Sequence, residues 1–174
     1  MEQQLKKQFV EKFQTIPLMV KSPGRINLIG EHTDYNNGFV LPASIDKYIY
    51  VAIQKRDDDE IHLYSSEFDE GQNVFLSNLS TPGKHWPVYI LGVVDQLQKN
   101  NYPITGFNLV FDGDVPIGAG MSSSAAVECA SIFALNQLFL LEIPNMEMVK
   151  MAQLAEHQFA GVNCGIMDQF ASMF

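Results

Sequence analysis

The spacing of apolar and polar residues changes several times along the chain, and each change marks an element. Phe9 and Phe13 stand among lysines in a weakly amphipathic opening helix, expected to end before Pro17. From Leu18 the texture turns to β-favouring residues mixed with glycine and proline, around the turn signal Asn36-Asn37-Gly38; strand, loop, turn and strand are expected. Tyr48 to Gln54 and Glu60 to Ser65 are further β-rich runs, and the charged stretch Lys55 to Asp59 between them reads as a solvated hairpin loop. Asn73 to Leu76 suggests another short strand, and Thr81-Pro82-Gly83 then breaks the chain. His85 to Lys99 sets Val88, Leu91, Gly92 and Asp95 on one side of a helix that Asn100-Asn101 stops. A strand from Phe107 to Phe111 runs into a loop rich in glycine and serine, then into a helix from about Ser123 with Ala126, Cys129, Ala130 and Phe133 in register. Asn145 is expected to cap a helix with Met148, Ala152, Ala155 and Phe159 as its buried stripe, and Gly165 to Phe174 opens a last one. Strands mixed with helices in this order predict an α+β domain. The apolar, uncapped finish at Ile166 to Phe174 suggests the N-terminal portion of a longer protein, with apolar surface left for a partner or a second copy.

Composition narrows the class. At 174 residues, with 47% hydrophobic and 18% charged, the chain fits one folded domain and not two. Eleven basic against twenty acidic side chains leave a formal charge of −9, which argues against nucleic-acid and membrane partners while leaving room for a local phosphate site. The first twenty residues interleave charges with apolar positions and form no signal peptide, so a cytoplasmic protein is expected. Cys129 and Cys164 are too few for a disulfide scaffold or an unaided zinc site. Asp57, Asp58 and Asp59 read as a solvated loop, since neighbours in a strand face opposite ways.

Three segments carry chemistry. In Pro116 to Ala126, the sequence PIGAGMSSSAA joins a strand to a helix. Gly118 and Gly120 let backbone amides approach phosphate oxygens, Ser122, Ser123 and Ser124 add donors and a possible magnesium ligand, and the helix dipole favours negative charge. The Gly-Lys-Ser/Thr ending of a Walker loop and the dinucleotide Gly-x-Gly-x-x-Gly pattern are both missing. In Gly24 to Tyr35, Arg25, Glu31, His32 and Asp34 crowd one strand-to-loop segment, a donor and acceptor set that suits a polyol. In Ala155 to Gln169, Glu156 falls at the edge of an apolar stripe and calls for a cation, for which magnesium shared with ATP phosphates would serve. Asp168 stands at a loop-to-helix junction, either as a first-turn acid or as a general base.

These segments resemble one family. Gly24 to Tyr35 is similar to the sugar-binding signature of galactokinases, Pro116 to Ala126 resembles the ATP loop of the wider GHMP small-molecule kinases, and Cys164 to Gln169 is similar to the galactokinase catalytic segment. Met121 replaces the leucine most members carry, a volume-conserving change. The resemblance implies a GHMP-kinase N-terminal domain: a mixed β-sheet packed with helices, of the ribosomal-protein βαβ type. It implies that Glu31, His32, Asp34 and the Gly165 backbone grip galactose, that Asp168 takes the proton from the anomeric hydroxyl, and that Arg25 pairs with Asp168 and stabilises transferring charge. It implies ATP on Gly118, Gly120, Ser122, Ser123 and Ser124, with Mg2+ on Ser124 and Glu156. Trp86 matches a position near adenine, although a tryptophan entering a helix more often serves the core. The C-terminal GHMP domain that closes the cleft is absent from this chain, so the fragment alone is expected to be inactive. A sugar sensor without turnover, and a kinase for N-acetylgalactosamine or arabinose, are the alternatives; the complete Ser-Ser-Ser-Ala-Ala run favours the enzyme.

Overall fold

Strand residues that alternate in the sequence face two different cores. The computed structural model describes residues 1–30, 33–36, 38–79 and 86–174. The elements run α1 (Glu2–Phe13), β1 (Leu18–Ile29), β2 (Leu41–Lys55), β3 (Glu60–Ser65), β4 (Glu70–Phe75), α2 (Pro87–Lys99), β5 (Phe107–Gly113), α3 (Ser123–Phe139), α4 (Asn145–Ala155) and α5 (Met167–Met173). A 3-10 turn occupies Asp34–Asn36, and a π turn at Glu156–Ala160 continues α4. Ile49, Val51 and Ile53 of β2, Phe107, Leu109 and Phe111 of β5, and Ile61 and Leu63 of β3 join the main core under the later helices. The residues between them, Ala52 and Val110, belong to a smaller core on the other face, covered by Leu5 and Phe9 of α1.

The sheet order is β1-β2-β5-β3-β4. All neighbours are antiparallel except β3 and β5, which run parallel with Ile61 opposite Phe107. The mixed sheet and helical layer are the α+β arrangement anticipated from the sequence. The long helix α3 is buried on nearly every side from Ala125 to Ile132, which makes it the centre of the helical layer rather than a half-exposed helix. Among the described residues, no helix is long and apolar enough to cross a membrane.

Several local expectations are corrected. Tyr48 to Gln54 and Glu60 to Ser65 do not form a hairpin, because β5 inserts between them and pairs with both. The Lys55 to Asp59 stretch is solvated as expected, and is folded by Arg56, whose guanidinium donates to Asp58 and Glu60. The short strand expected over Asn73 to Leu76 begins earlier, at Glu70. Asn145 is the first residue of α4 rather than its cap; Pro144 holds that place in an extended conformation. Helix α2 starts at Pro87, whose missing amide costs nothing in a first turn. His85, the 81–83 break and Asn37 of the expected turn lie outside the described residues.

Helix α1 is attached mainly through two fully buried side chains, Leu5 and Phe9. Phe9→Ala should therefore cost about 3–5 kcal/mol. Chemical denaturation monitored by circular dichroism measures it, and a loss below about 1 kcal/mol would mean that α1 is not held by this contact.

Candidate active site

The site begins at an irregularity in β1. The register with β2 shifts between Pro23 and Arg25, and a Cβ on Gly24 would come within 2.9 Å of the Met121 carbonyl oxygen. The glycine loop therefore lies directly on β1, where the Arg25 amide donates to that same carbonyl at 3.1 Å. Arg25 Nη1 donates to the Gly120 carbonyl at 2.7 Å, while Nε and Nη2 lie 2.7 and 2.6 Å from Asp168 Oδ1. Ser122 Oγ donates to Asp168 Oδ2 at 2.5 Å. Asp168 thus sits where β1, the glycine loop and the first turn of α5 converge. With the Arg25 and Asp168 side chains 12% and 21% exposed, the pair is screened less by salt than a surface pair.

The loop has the backbone its residues predict. Gly118 and Gly120 adopt φ of 70° and 71°, and a Cβ on either would meet nothing within 4 Å, so glycine serves the conformation and leaves open space beside it. Ser122 precedes α3 in a left-handed conformation but makes no side-chain cap, because its hydroxyl is committed to Asp168. A cleft of about 530 Å³ opens on one side of the loop, with Arg25, Asp34, Gly120, Gly165 and Asp168 in its wall. On the other side lies a mostly apolar cavity of about 270 Å³, with Trp86, Tyr89, Phe111 and Val127 beside Ser123 and Ser124. Trp86 is buried against Phe111, with ring centroids 5.3 Å apart, so it is both core and cavity wall.

Asp34 reaches the same cleft from the 3-10 turn. Its Oδ2 accepts from the Met167 amide at 3.0 Å, and a Cβ on Gly165 would lie 1.7 Å from that oxygen. The loop bearing Gly165 is pinned from α4 and its π turn: His157 Nε2 is 2.7 Å from the Cys164 carbonyl oxygen and 3.1 Å from its amide, and Gln153 donates to the same carbonyl. Glu31 and His32 lie outside the described residues.

Glu156 is buried, as its place at the edge of the stripe suggested, and three neutral side chains reach its carboxylate. Ser124 Oγ donates to Oε1 at 2.9 Å, Gln169 Nε2 to Oε2 at 2.7 Å and Cys164 Sγ to Oε2 at 3.2 Å. Gln169 Nε2 is also 3.1 Å from Oε2 of Glu128, which is fully buried. Burial, with the neighbouring Glu156 charge second, pushes the Glu128 carboxyl well above the usual carboxylate range. The same two causes push the Cys164 thiol up. Glu128 and Gln169 escaped the sequence analysis; the available signal was Glu128 four residues after Ser124, hence on the same helical face. Among the described residues, no group of three or more His, Cys, Asp or Glu side chains is arranged to hold a metal.

Residues 88–174 match the model of the GHMP kinases N terminal domain. The chain belongs to the GHMP kinase family. Residues 7–55 match the galactokinase galactose-binding signature. The galactokinase of Thermosipho africanus is 48% identical over 157 residues, 90% of this chain and 43% of its own length. That of Pyrococcus furiosus is 45% identical over 157 residues, again 90% of this chain, and 44% of its own length. The chain thus spans less than half the length of these curated relatives. The crystal structure of Lactococcus lactis galactokinase complexed with galactose superposes with a TM-score of 0.91 at 39% identity, covering 97% of this chain and 45% of that one. A Methanococcus jannaschii mevalonate kinase, 23% identical with a TM-score of 0.78 over 90% of this chain and 50% of its own, shares the GHMP fold.

Proposed function

We propose that this chain forms the sugar- and ATP-binding part of a galactokinase, which transfers the γ-phosphoryl group of ATP to the C1 hydroxyl of galactose. The observation that carries this reading is the glycine loop between two cavities, with a carboxylate–guanidinium pair on one side and the Ser124–Glu156 pair on the other. A nucleotide in the apolar cavity would lay its phosphates along the loop, toward a sugar in the polar cleft.

In this reading the backbone amides around Gly118 and Gly120 cradle phosphate, with Ser122, Ser123 and the α3 N-terminus adding to the positive field. Asp34 and Gly165, with Glu31 and His32, hold sugar hydroxyls. Asp168 accepts the C1 hydroxyl proton, and Arg25 both orients Asp168 and offsets charge on the transferring group. Ser124 Oγ and Glu156 Oε1 suit a magnesium ion: Ser124 lines the nucleotide-side cavity, Glu156 Oε1 is its hydrogen-bond partner, both are hard oxygens, and no Lys or Arg among the described residues pairs with Glu156. When bound there, the ion supplies charge neutralisation to the phosphate oxygens. The remainder of the relatives' length would contribute the domain that closes the cleft against water, and a cytoplasmic location suits both substrates.

Sugar-dependent ADP release by the full-length protein, with galactose, N-acetylgalactosamine and arabinose in parallel, tests the proposal. Galactose should give the highest kcat/KM; ATP and galactose binding without ADP release would instead indicate a sensor. Ser124→Ala and Glu156→Gln should each raise the magnesium concentration needed for half-maximal turnover by about tenfold or more, with little change in galactose KM. An unchanged magnesium requirement in both variants would place the ion elsewhere.

A further inference from the structure

Two buried carboxylates, Glu128 on α3 and Glu156 on the π turn, share the side-chain amide of a single glutamine. Gln169 is itself fully buried, and no Lys or Arg among the described residues pairs with either acid. An amide nitrogen carries two hydrogens in a fixed planar fork, and here each is taken by a different carboxylate. The terminal torsion of a glutamate is soft and roughly two-fold, so a lone Glu156 carboxylate would have no preferred oxygen to present. Gln169 and Cys164 both occupy Oε2, which leaves Oε1 to Ser124, a residue that lines the nucleotide-side cavity.

We propose that Gln169 is a positioning residue: bridging from Glu128 to Glu156, it aims Glu156 Oε1 at the divalent ion that accompanies the nucleotide. This rests on the reading of Ser124 and Glu156 as the pair that holds the ion. Glu128 acts only as the far anchor of the bridge and needs to offer nothing but an acceptor. Arg25 and Ser122 hold Asp168, and Asp34 holds the Met167 amide, through contacts that do not involve this bridge. Loss of the bridge should therefore affect metal binding and spare the sugar. Partners behind a metal ligand are commonly worth 10–100-fold in affinity, which sets the size of the effect.

The test is Mn2+ binding in the presence of the non-hydrolysable ATP analogue AMPPNP, followed by electron paramagnetic resonance, with galactose affinity measured by calorimetry on the same full-length proteins. Gln169→Leu, and the gentler Gln169→Asn whose amide is one methylene too short to span both acids, should weaken Mn2+ binding about 10–100-fold and leave galactose affinity within about twofold. Glu128→Leu should behave like the Gln169 variants, whereas Glu128→Gln, which keeps a carbonyl acceptor for the amide, should bind Mn2+ like the wild type. Wild-type Mn2+ affinity in Gln169→Asn, equal losses in Glu128→Gln and Glu128→Leu, or a parallel loss of galactose affinity would overturn the proposal. Glu156→Gln is the control for the underlying reading: if it binds Mn2+ like the wild type, both readings fall, and if it alone loses binding, only the bridge does.

Discussion

Asp168→Asn should reduce turnover of the full-length protein by about 10²–10⁴-fold while leaving ATP and galactose binding nearly unchanged. The amide fills the space of the carboxylate, and one of its two terminal atoms can still accept from Arg25, whose Nε and Nη2 both converge on Oδ1. It cannot take the proton of a sugar hydroxyl, and it presents no negative partner to the guanidinium. Ser122 can turn its hydroxyl to accept from the new amide, so the glycine loop should remain in place. Isothermal titration with each substrate and a coupled assay of ADP release separate binding from chemistry. Turnover within a few-fold of wild type would remove Asp168 as the base and leave it a purely structural partner of Arg25.

Gly165→Ala is expected to be nearly as damaging for a different reason. Its Cβ would fall 1.7 Å from Asp34 Oδ2, far inside contact distance, while Asp34 is held by the Met167 amide. One side must move: either Asp34 leaves the cleft or the Gly165 loop lifts away from it. His157 and Gln153 pin the neighbouring Cys164 peptide, so Asp34 is the freer partner. Galactose affinity should fall by about 100-fold, the cost of losing a charged hydrogen-bonding group from a polar site, with nucleotide binding retained. Calorimetry with galactose measures it, and wild-type affinity would show that Asp34 takes no part in holding the sugar.

What could be read from the sequence followed from how locally each feature is encoded. The glycine-serine loop announced itself because the strand before it, the glycines and the helix after it are consecutive in the chain. Cys129 was legible as buried from its place in the helical pattern, and Trp86 as core from its place at the entry to a helix. The pairing of Arg25 with Asp168, 143 residues apart, is not written in any spacing, and only the family resemblance suggested it. The hairpin misread at Lys55 to Asp59 has a similar origin: a short polar linker between two β runs normally joins neighbours, and nothing within it tells of the distant strand that pairs with both. That Glu156 would be buried is legible from its place beside the apolar stripe, whereas the neutral side chains that reach it come from α3 and α5, and a carboxylate does not specify which will arrive.

Insertion of β5 between β2 and β3 also dictates when the sheet can assemble. In a chain made from its N-terminus, both partners of the β1–β2 and β3–β4 pairs exist before β5 does, so the inner edges of those pairs have no partner until Gly113 has been synthesised. Unpaired edges invite pairing with other chains. Lys55 and Arg56 at the end of β2, with Glu60 on β3, place charge along those waiting edges, which discourages such pairing until β5 arrives. Pairings that bridge so much intervening chain also close slowly. Refolding of this domain should therefore be slower than its helical content alone would suggest.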